Sequence, residues 1–417
     1  MALPTSRSTA LSHVRICDLT GQLAGAGATK FLAAFGAQVI RVEDPVRQGT
    51  WDILRGVPPY VDDRRGINLG GAFNNHNVEK LGITIDLRQE RGRELLRKLV
   101  AVSDAVTENF AAGVFARMGF PYDELARIKP DIVYVSNSGF GATGPYSSFR
   151  TWGPIVQAVS GLTFSSGLPD LPPAGWGFSY MDHMGANYMA VAILAGLIHR
   201  NRTGEGQWID MGCTEAGVSL CGPDLLDYSV NKRPLRRPGQ PNSNRSHAPA
   251  MAPHNIYPAR GTDEWIAIAC RDDDDWARLA ELISEPWALV EQYARLAGRL
   301  DDQDALDTHI GAWTRTRERH ALAKQIRTAG VPASVVASPE DRVEHDPGTS
   351  EFGLWPVAHH TEMGEVRVDG IPVHMSETDW SIDRGGPCLG EHTDDVLRDV
   401  LGLDDDEIAS LHQEAVV

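Results

Sequence analysis

"LTGQLAGAGATKFLAAFGAQVIRVED", Leu19 to Asp44, is the stretch that decides the fold. An apolar strand, Val14 to Leu19, enters a Gly-rich turn; a helix follows, and a second strand, Gln38 to Val42, ends in an acid, Glu43. Strand, Gly turn, helix and strand in this order open a nucleotide-binding α/β domain. The glycines argue against NAD. The dinucleotide fingerprint places a third glycine where helix and strand pack closely; Gly25 and Gly27 fit the first two places, but Lys30 stands at the third. Glu43 lies at a suitable distance for a ribose, yet an acid ending a second strand is common. The stretch reads as a βαβ unit with a tight turn and no dinucleotide.

Downstream, strand and helix signals keep alternating to about residue 145. "LGITIDL", "DAVTENF" and "DIVYVSNSGFG" are strands. "ERGRELLRKLVAVS" carries Leu95, Leu96, Leu99 and Val100 on one helical face, and "AGVFARMGF" and "YDELARI" are shorter helices. Such alternation means a mainly parallel sheet with helices on both faces. Residues 139–181 are rich in Gly, Pro, Ser and aromatic side chains, among them Trp152, Trp176, Phe178 and Tyr180. Long ordered loops inside a compact domain are usually functional, so these aromatics suit a pocket wall as well as plain packing. A helix is expected from His183 to Arg200, then the strand "QWIDM". The composition changes near Ile256, with a hairpin around Gly261-Thr262-Asp263 and the helix "DDDDWARLAELI". The expected organisation is a large α/β domain over 1–215, a linker over 216–253, a small α+β domain over 254–335, and a return segment, 336–417, completing the large domain. Within that segment "EVRVDGIPVHM" is expected to be a strand pair, and "DDVLRDVLG" a helix.

Composition narrows the partners. The chain has 417 residues, enough for two domains, and a formal net charge of -17, which disfavours nucleic acid and anionic membranes. An anionic small ligand would need a local cationic cluster. The most apolar helix, "MGANYMAVAILAGLIHR", falls short of the roughly 18 apolar residues a membrane span needs. No signal peptide is evident before the first strand. Five scattered cysteines without C-x-x-C spacing suit a reducing cytoplasm, and no His or Cys spacing suggests a metal.

Asp182, in "GFSYMDHMGANYMAVAIL", stands between the aromatic-rich loops and the buried helix. As the expected N-cap it would accept backbone hydrogen bonds and feel the positive helix end, both lowering its pKa. The same placement suits an ordinary structural cap.

Five stretches give the chain a family likeness: "ICDLTGQLAGAGATKFLAAFGAQVIRVED", "TENFAAGVFARMGF", "IVYVSNSGFGATGPY", "RNRTGEGQWIDM" and "GPCLGEHTDDVL". In order and spacing they resemble the class III CoA-transferases, also called the CaiB/BaiF family. The resemblance implies a Rossmann-like large domain that binds coenzyme A, a second, smaller domain, and two subunits interlocked as a homodimer. It implies no permanently bound cofactor; acyl-CoA and a carboxylic acid are the substrates. It assigns Asp182 as a nucleophile that forms a mixed anhydride with the acyl group and then an aspartyl-CoA thioester. It also places Asn109, Phe110, Arg117 and Met118 along the CoA site, with Lys80 reaching a CoA phosphate. Lys80, Arg117 and the arginines of 41–55 would then supply the cationic cluster. Leu23 and Asp44 replace a Gln and an Arg found in some formyl-CoA transferases, and "PNSNRSHAPAMAP" replaces their glycine lid, so formate and oxalate fit poorly. Trp152, Trp176, Tyr180 and His183 are the candidate acyl pocket.

Two rival readings share these residues. An α-methylacyl-CoA racemase needs an acid and a base across the α-carbon; racemases of the family carry a His where Trp152 aligns. An intramolecular acyl-CoA isomerase would use the same aspartate. A non-catalytic acyl-CoA-binding paralogue would retain the fold without turnover.

Overall fold

A computed structural model describes residues 9–168, 170–177 and 179–417. The described chain divides into two compact units. The first holds the described residues up to Thr163 with Gly175–Leu225 and Gly348–Val417; the second holds Phe164–Ala174 and Leu226–Pro347. The break at 225/226 falls inside the expected linker, 216–253, that at 347/348 lies past the expected 335/336, and the loop segment 164–174 goes with the second unit. Arg236 shows why: its guanidinium donates to the carbonyls of Phe164, Ser166, Leu168 and Leu171.

The first unit is built on six parallel strands: β1 (Arg15–Leu19), β2 (Gln38–Glu43), β3 (Leu81–Thr84), β4 (Ala105–Glu108), β5 (Val133–Ser138) and β6 (Gln207–Gly212). Their order is β3-β2-β1-β4-β5-β6, so the chain reverses direction across the sheet between β1 and β4. The apolar runs are buried on both faces, as parallel strands covered by helices must be. Alternate residues feed two cores. Ile16, Val39, Val133 and Val135 pack with Leu32, Met189, Ile193 and Leu197. Cys17, Leu19, Ile40 and Val42 pack with Leu95, Leu96, Leu99 and Val100, joined by Val396, Leu397, Ile408 and Leu411 from the chain's end.

Two local expectations shift. The helix expected from His183 begins at Tyr180 and runs to Thr203. The hairpin of the return segment pairs Val357–His360 with Gly364–Arg367, upstream of "IPVHM"; Pro372 lacks the N–H a strand there would need. In the second unit, His254–Pro258, Trp265–Ala269 and Ala333–Val335 form an antiparallel sheet. The helix Asp273–Ile283 packs with it, its first turn capped by Asp272. No described helix is long and apolar enough to cross a membrane.

Candidate active site

The carboxyl ends of β1 and β4 flank the reversal, where open α/β sheets bind their ligands. Asn109 ties the two ends together: its Oδ1 accepts from the Gly21 N–H at 2.7 Å, and its Nδ2 donates to the Gly21 carbonyl at 3.0 Å. Gly25 makes this approach possible, since a Cβ there would lie 2.8 Å from the Asn109 amide. Phe110 follows, half-buried, its ring 5.4 Å from that of Trp51, which covers Gly21. Arg117 and Met118, at the end of the short helix Val114–Arg117, are exposed. Asn109, Phe110, Arg117 and Met118 therefore fall on one edge of the sheet, joined by Trp51, which the sequence reading passed over.

The charges placed there by sequence behave otherwise. Lys80 is fully buried, its ammonium donating to Asn77 and the Ala26 carbonyl and facing Asp18 at 3.4 Å. Burial pushes it down to about 8, with Asp18 pulling the other way. It cannot meet a phosphate from inside the core, so that expectation is corrected. Arg41 and Arg55 are also enclosed: Arg41 bonds Asp52 at 2.7 Å, and Arg55 grips Glu43 through Nε at 2.8 Å. Burial alone would raise Glu43; Arg41 and Arg55 hold it below its ordinary value. Glu43 is thus a buried counter-ion rather than a ribose ligand. Lys30, in the place of the third fingerprint glycine, spends its ammonium on Asp369 at 2.9 Å. Of the arginines in 41–55 only Arg47 is exposed, and Arg88 joins it beside Asp44.

Asp182 lies in the first turn of the helix Tyr180–Thr203, three residues inside its N-cap, Ser179. The expected N-cap role is therefore corrected. Ser179-Tyr180-Met181-Asp182 matches the S-x-x-D pattern of a helix start, a signal present in the sequence that places the start three residues earlier. Its carboxyl group rests against Gly153, where a Cβ would lie 2.6 Å from Oδ2. The pKa direction is also corrected. Burial dominates and raises Asp182, while Ser179, His183 and the Gly153 N–H only partly restrain it.

Asp182 belongs to the same carboxyl edge. Gly185, one turn along the helix, faces Cys213, the residue after β6, and Ala24 at the start of the helix after β1. The Cys213 thiol donates to Asn137 of β5 at 3.0 Å and is pushed up to about 12, by burial first and then by the Asp182 charge. Among the aromatic candidates, Trp152 precedes Gly153 and is 52% exposed. Trp176 stacks obliquely on Tyr180 at 5.2 Å. Phe178 lies outside the described residues. His183 is exposed, its ring 5.6 Å from that of His76. His76 donates through Nδ1–H to the Ala72 carbonyl at 2.9 Å, and burial pushes its pKa down to about 4.

A family model described as CoA-transferase family III matches residues 11–393. A succinyl-CoA–D-citramalate CoA-transferase of Chloroflexus aurantiacus is 32% identical, covering 98% of this chain and 98% of its own. A succinate–glutarate CoA-transferase of Agrobacterium fabrum is 32% identical over 95% of this chain and 96% of its own. The crystal structure of a CaiB/BaiF family protein from Brucella suis superposes with a TM-score of 0.85 at 30% identity, covering 95% of this chain and all of that one. The sheet order, the Gly-rich turn and the match along nearly the whole chain agree: this protein belongs to CoA-transferase family III.

Proposed function

We propose that this CoA-transferase moves coenzyme A from an acyl-CoA donor to a carboxylic acid through covalent intermediates on Asp182, as a homodimer. The observation that carries the reading is the Asp182 carboxyl group, partly buried at the carboxyl edge of the sheet and packed directly against Gly153. A carboxylate so placed needs no general base, because it attacks the thioester carbonyl as the ion. CoA thiolate leaves and then attacks the aspartyl carbonyl, giving the aspartyl-CoA thioester from which an incoming carboxylate takes the CoA. Asn109, Phe110 and Trp51 provide a partly aromatic wall for the CoA moiety, with Arg117, Arg47 and Arg88 as the exposed cations on this edge. Trp152, Trp176 and Tyr180 favour an acyl group larger than formyl. The named relatives that act on citramalate and glutarate point to dicarboxylic acids as the first substrates to try.

The test is chemical trapping. Hydroxylamine added during incubation with an acyl-CoA should convert Asp182 to a hydroxamate, located by peptide mass spectrometry. Asp182→Ala should fold, retain CoA-thioester binding and lose exchange by at least about a thousandfold. Full exchange in that variant would overturn the reading. Racemase action would instead wash the α-proton into solvent without a second acyl-CoA, and Trp152 offers no basic group for it.

A further inference from the structure

We propose that His183, backed by His76, receives the distal carboxylate of a dicarboxylic acid whose near carboxyl group reacts at Asp182. The inference rests on Asp182 being the nucleophile. It begins with where the helix Tyr180–Thr203 keeps its charges. From Tyr180 to Ile198, Asp182 and His183 are the only acidic or basic side chains; apart from Asn187 and the two tyrosines, the rest is apolar or small. A basic residue in a first turn sits at the wrong end of the helix dipole, so helix stability does not account for His183. Core packing does not either, because the side chain is exposed.

Successive residues stand about 100° apart round a helix, so the two neighbours face different walls. Asp182 packs on Gly153, while the His183 ring lies 5.6 Å from that of His76, the last residue of the helix Gly71–His76. His76 spends its Nδ1–H on the Ala72 carbonyl, which leaves Nε2 as a lone pair. Two imidazolium rings this close would repel each other; burial keeps His76 neutral, so a charge on the pair resides on His183. The helix Ala24–Ala34 closes in behind them at Gly27, where a Cβ would lie 3.0 Å from Cβ of Ala186 and 3.8 Å from Cδ2 of His76. Lys30, one turn further along, is already committed to Asp369 at 2.9 Å, and the Asp369 N–H donates to Asn75 at 2.9 Å.

Among the described residues neither ring nitrogen of His183 nor Nε2 of His76 has a hydrogen-bond partner. The charges of Lys30 and Asp369 offset each other, which leaves His183 as the group able to meet a negative charge on the substrate. The reach suits a short diacid. In an extended four- or five-carbon acid the two carboxyl carbons are about 4–5 Å apart. That matches side chains on adjacent residues, whose Cα atoms are about 3.8 Å apart and whose directions diverge. A diacid reacting at Asp182 through one end thus presents its other end to His183. The resulting charge-assisted hydrogen bond is open to the diacid and closed to a monocarboxylic acid of the same length.

Transfer from succinyl-CoA to glutarate or to valerate, compared in wild type, His183→Ala, His183→Arg and Asp182→Ala, tests the subsite. Wild type should favour glutarate in kcat/KM. His183→Ala should lower the glutarate value about 10–100-fold more than the valerate value, mainly through KM, as expected for a lost hydrogen bond to a charged group. His183→Arg keeps a cation and should restore most of the preference. A packing defect would neither separate the two acids nor be rescued in this way. If Asp182→Ala is inactive but wild type does not favour glutarate, or His183→Ala keeps the preference, the subsite alone is overturned. If Asp182→Ala still exchanges, the nucleophile reading fails and takes the subsite with it.

Discussion

Burial pushes the carboxyl group of Asp182 toward its neutral form, so the ionised form of the proposed nucleophile is scarcer at mildly acid pH than an exposed aspartate would be. Activity should therefore fall on the acid side, with the kcat/KM limb lying above the ordinary aspartate range, as a pH–rate profile would show. Glu108 presents a second buried carboxyl group, accepting from the Tyr134 hydroxyl at 2.8 Å and the Phe110 N–H at 2.6 Å, with no cation among its bonded partners. Burial carries it up to about 7. Its contribution to stability is intact while both folded and unfolded chains hold the proton, below about pH 4. It is lost between there and pH 7, by roughly 3 kcal/mol, as the unfolded chain alone ionises. Glu108→Gln should flatten that slope in urea denaturation followed across pH; an unchanged slope would contradict the assignment. That Asp182 stands at the start of a buried helix was legible, because helix-start signals are local. Its pKa was not, because the helix starts a turn earlier and Gly153, 29 positions away, closes over it.

At the scale of elements, the sheet was legible almost strand by strand, since buried parallel strands write themselves as short apolar runs. The charges between them were not. Arg41 and Glu43 lie at the end of a strand in sequence and Asp52 and Arg55 in the loop after it, yet their side chains are fully enclosed and pair with one another. Nothing in spacing says which arginine meets which acid or that none faces water. The network fixes the loop that carries Trp51 onto Gly21; Arg41 also donates to the Thr20 carbonyl at 2.6 Å. Arg41→Met should cost about 3–5 kcal/mol in chemical denaturation, because Asp52 is left buried without its partner. In the folded fraction it should raise KM for the acyl-CoA more than it lowers kcat. A loss under about 1 kcal/mol would show that the loop is held by other contacts.

Across the whole molecule, the helix Tyr180–Thr203 is apolar on nearly every side, and Tyr188, Val191 and Ile198 are 40%, 65% and 53% exposed. A helix with apolar residues all round is normally covered, and the stripe fits the second subunit of the proposed homodimer. Sedimentation should give twice the chain mass, and Val191→Asp should shift the distribution toward one chain with a lower Tm. A wild-type chain that sediments as a monomer would remove the dimer from the proposal. The likeness of five separated motifs made the family legible from sequence, but which surfaces meet is set by side chains scattered over several helices.

The five cysteines are all buried, and burial raises every thiol, Cys270 and Cys388 to about 12. A catalyst that generates activated acyl groups invites self-acylation, since any ready sulfur nucleophile of its own would intercept the cargo. Cys213, within reach of the Asp182 charge, is the most endangered, and there the carboxylate itself helps keep the sulfur protonated. Maleimide at neutral pH should leave the native protein unlabelled and modify it only after denaturation. On the proposed mechanism, where the chain keeps its sulfur is what shields it from its own chemistry.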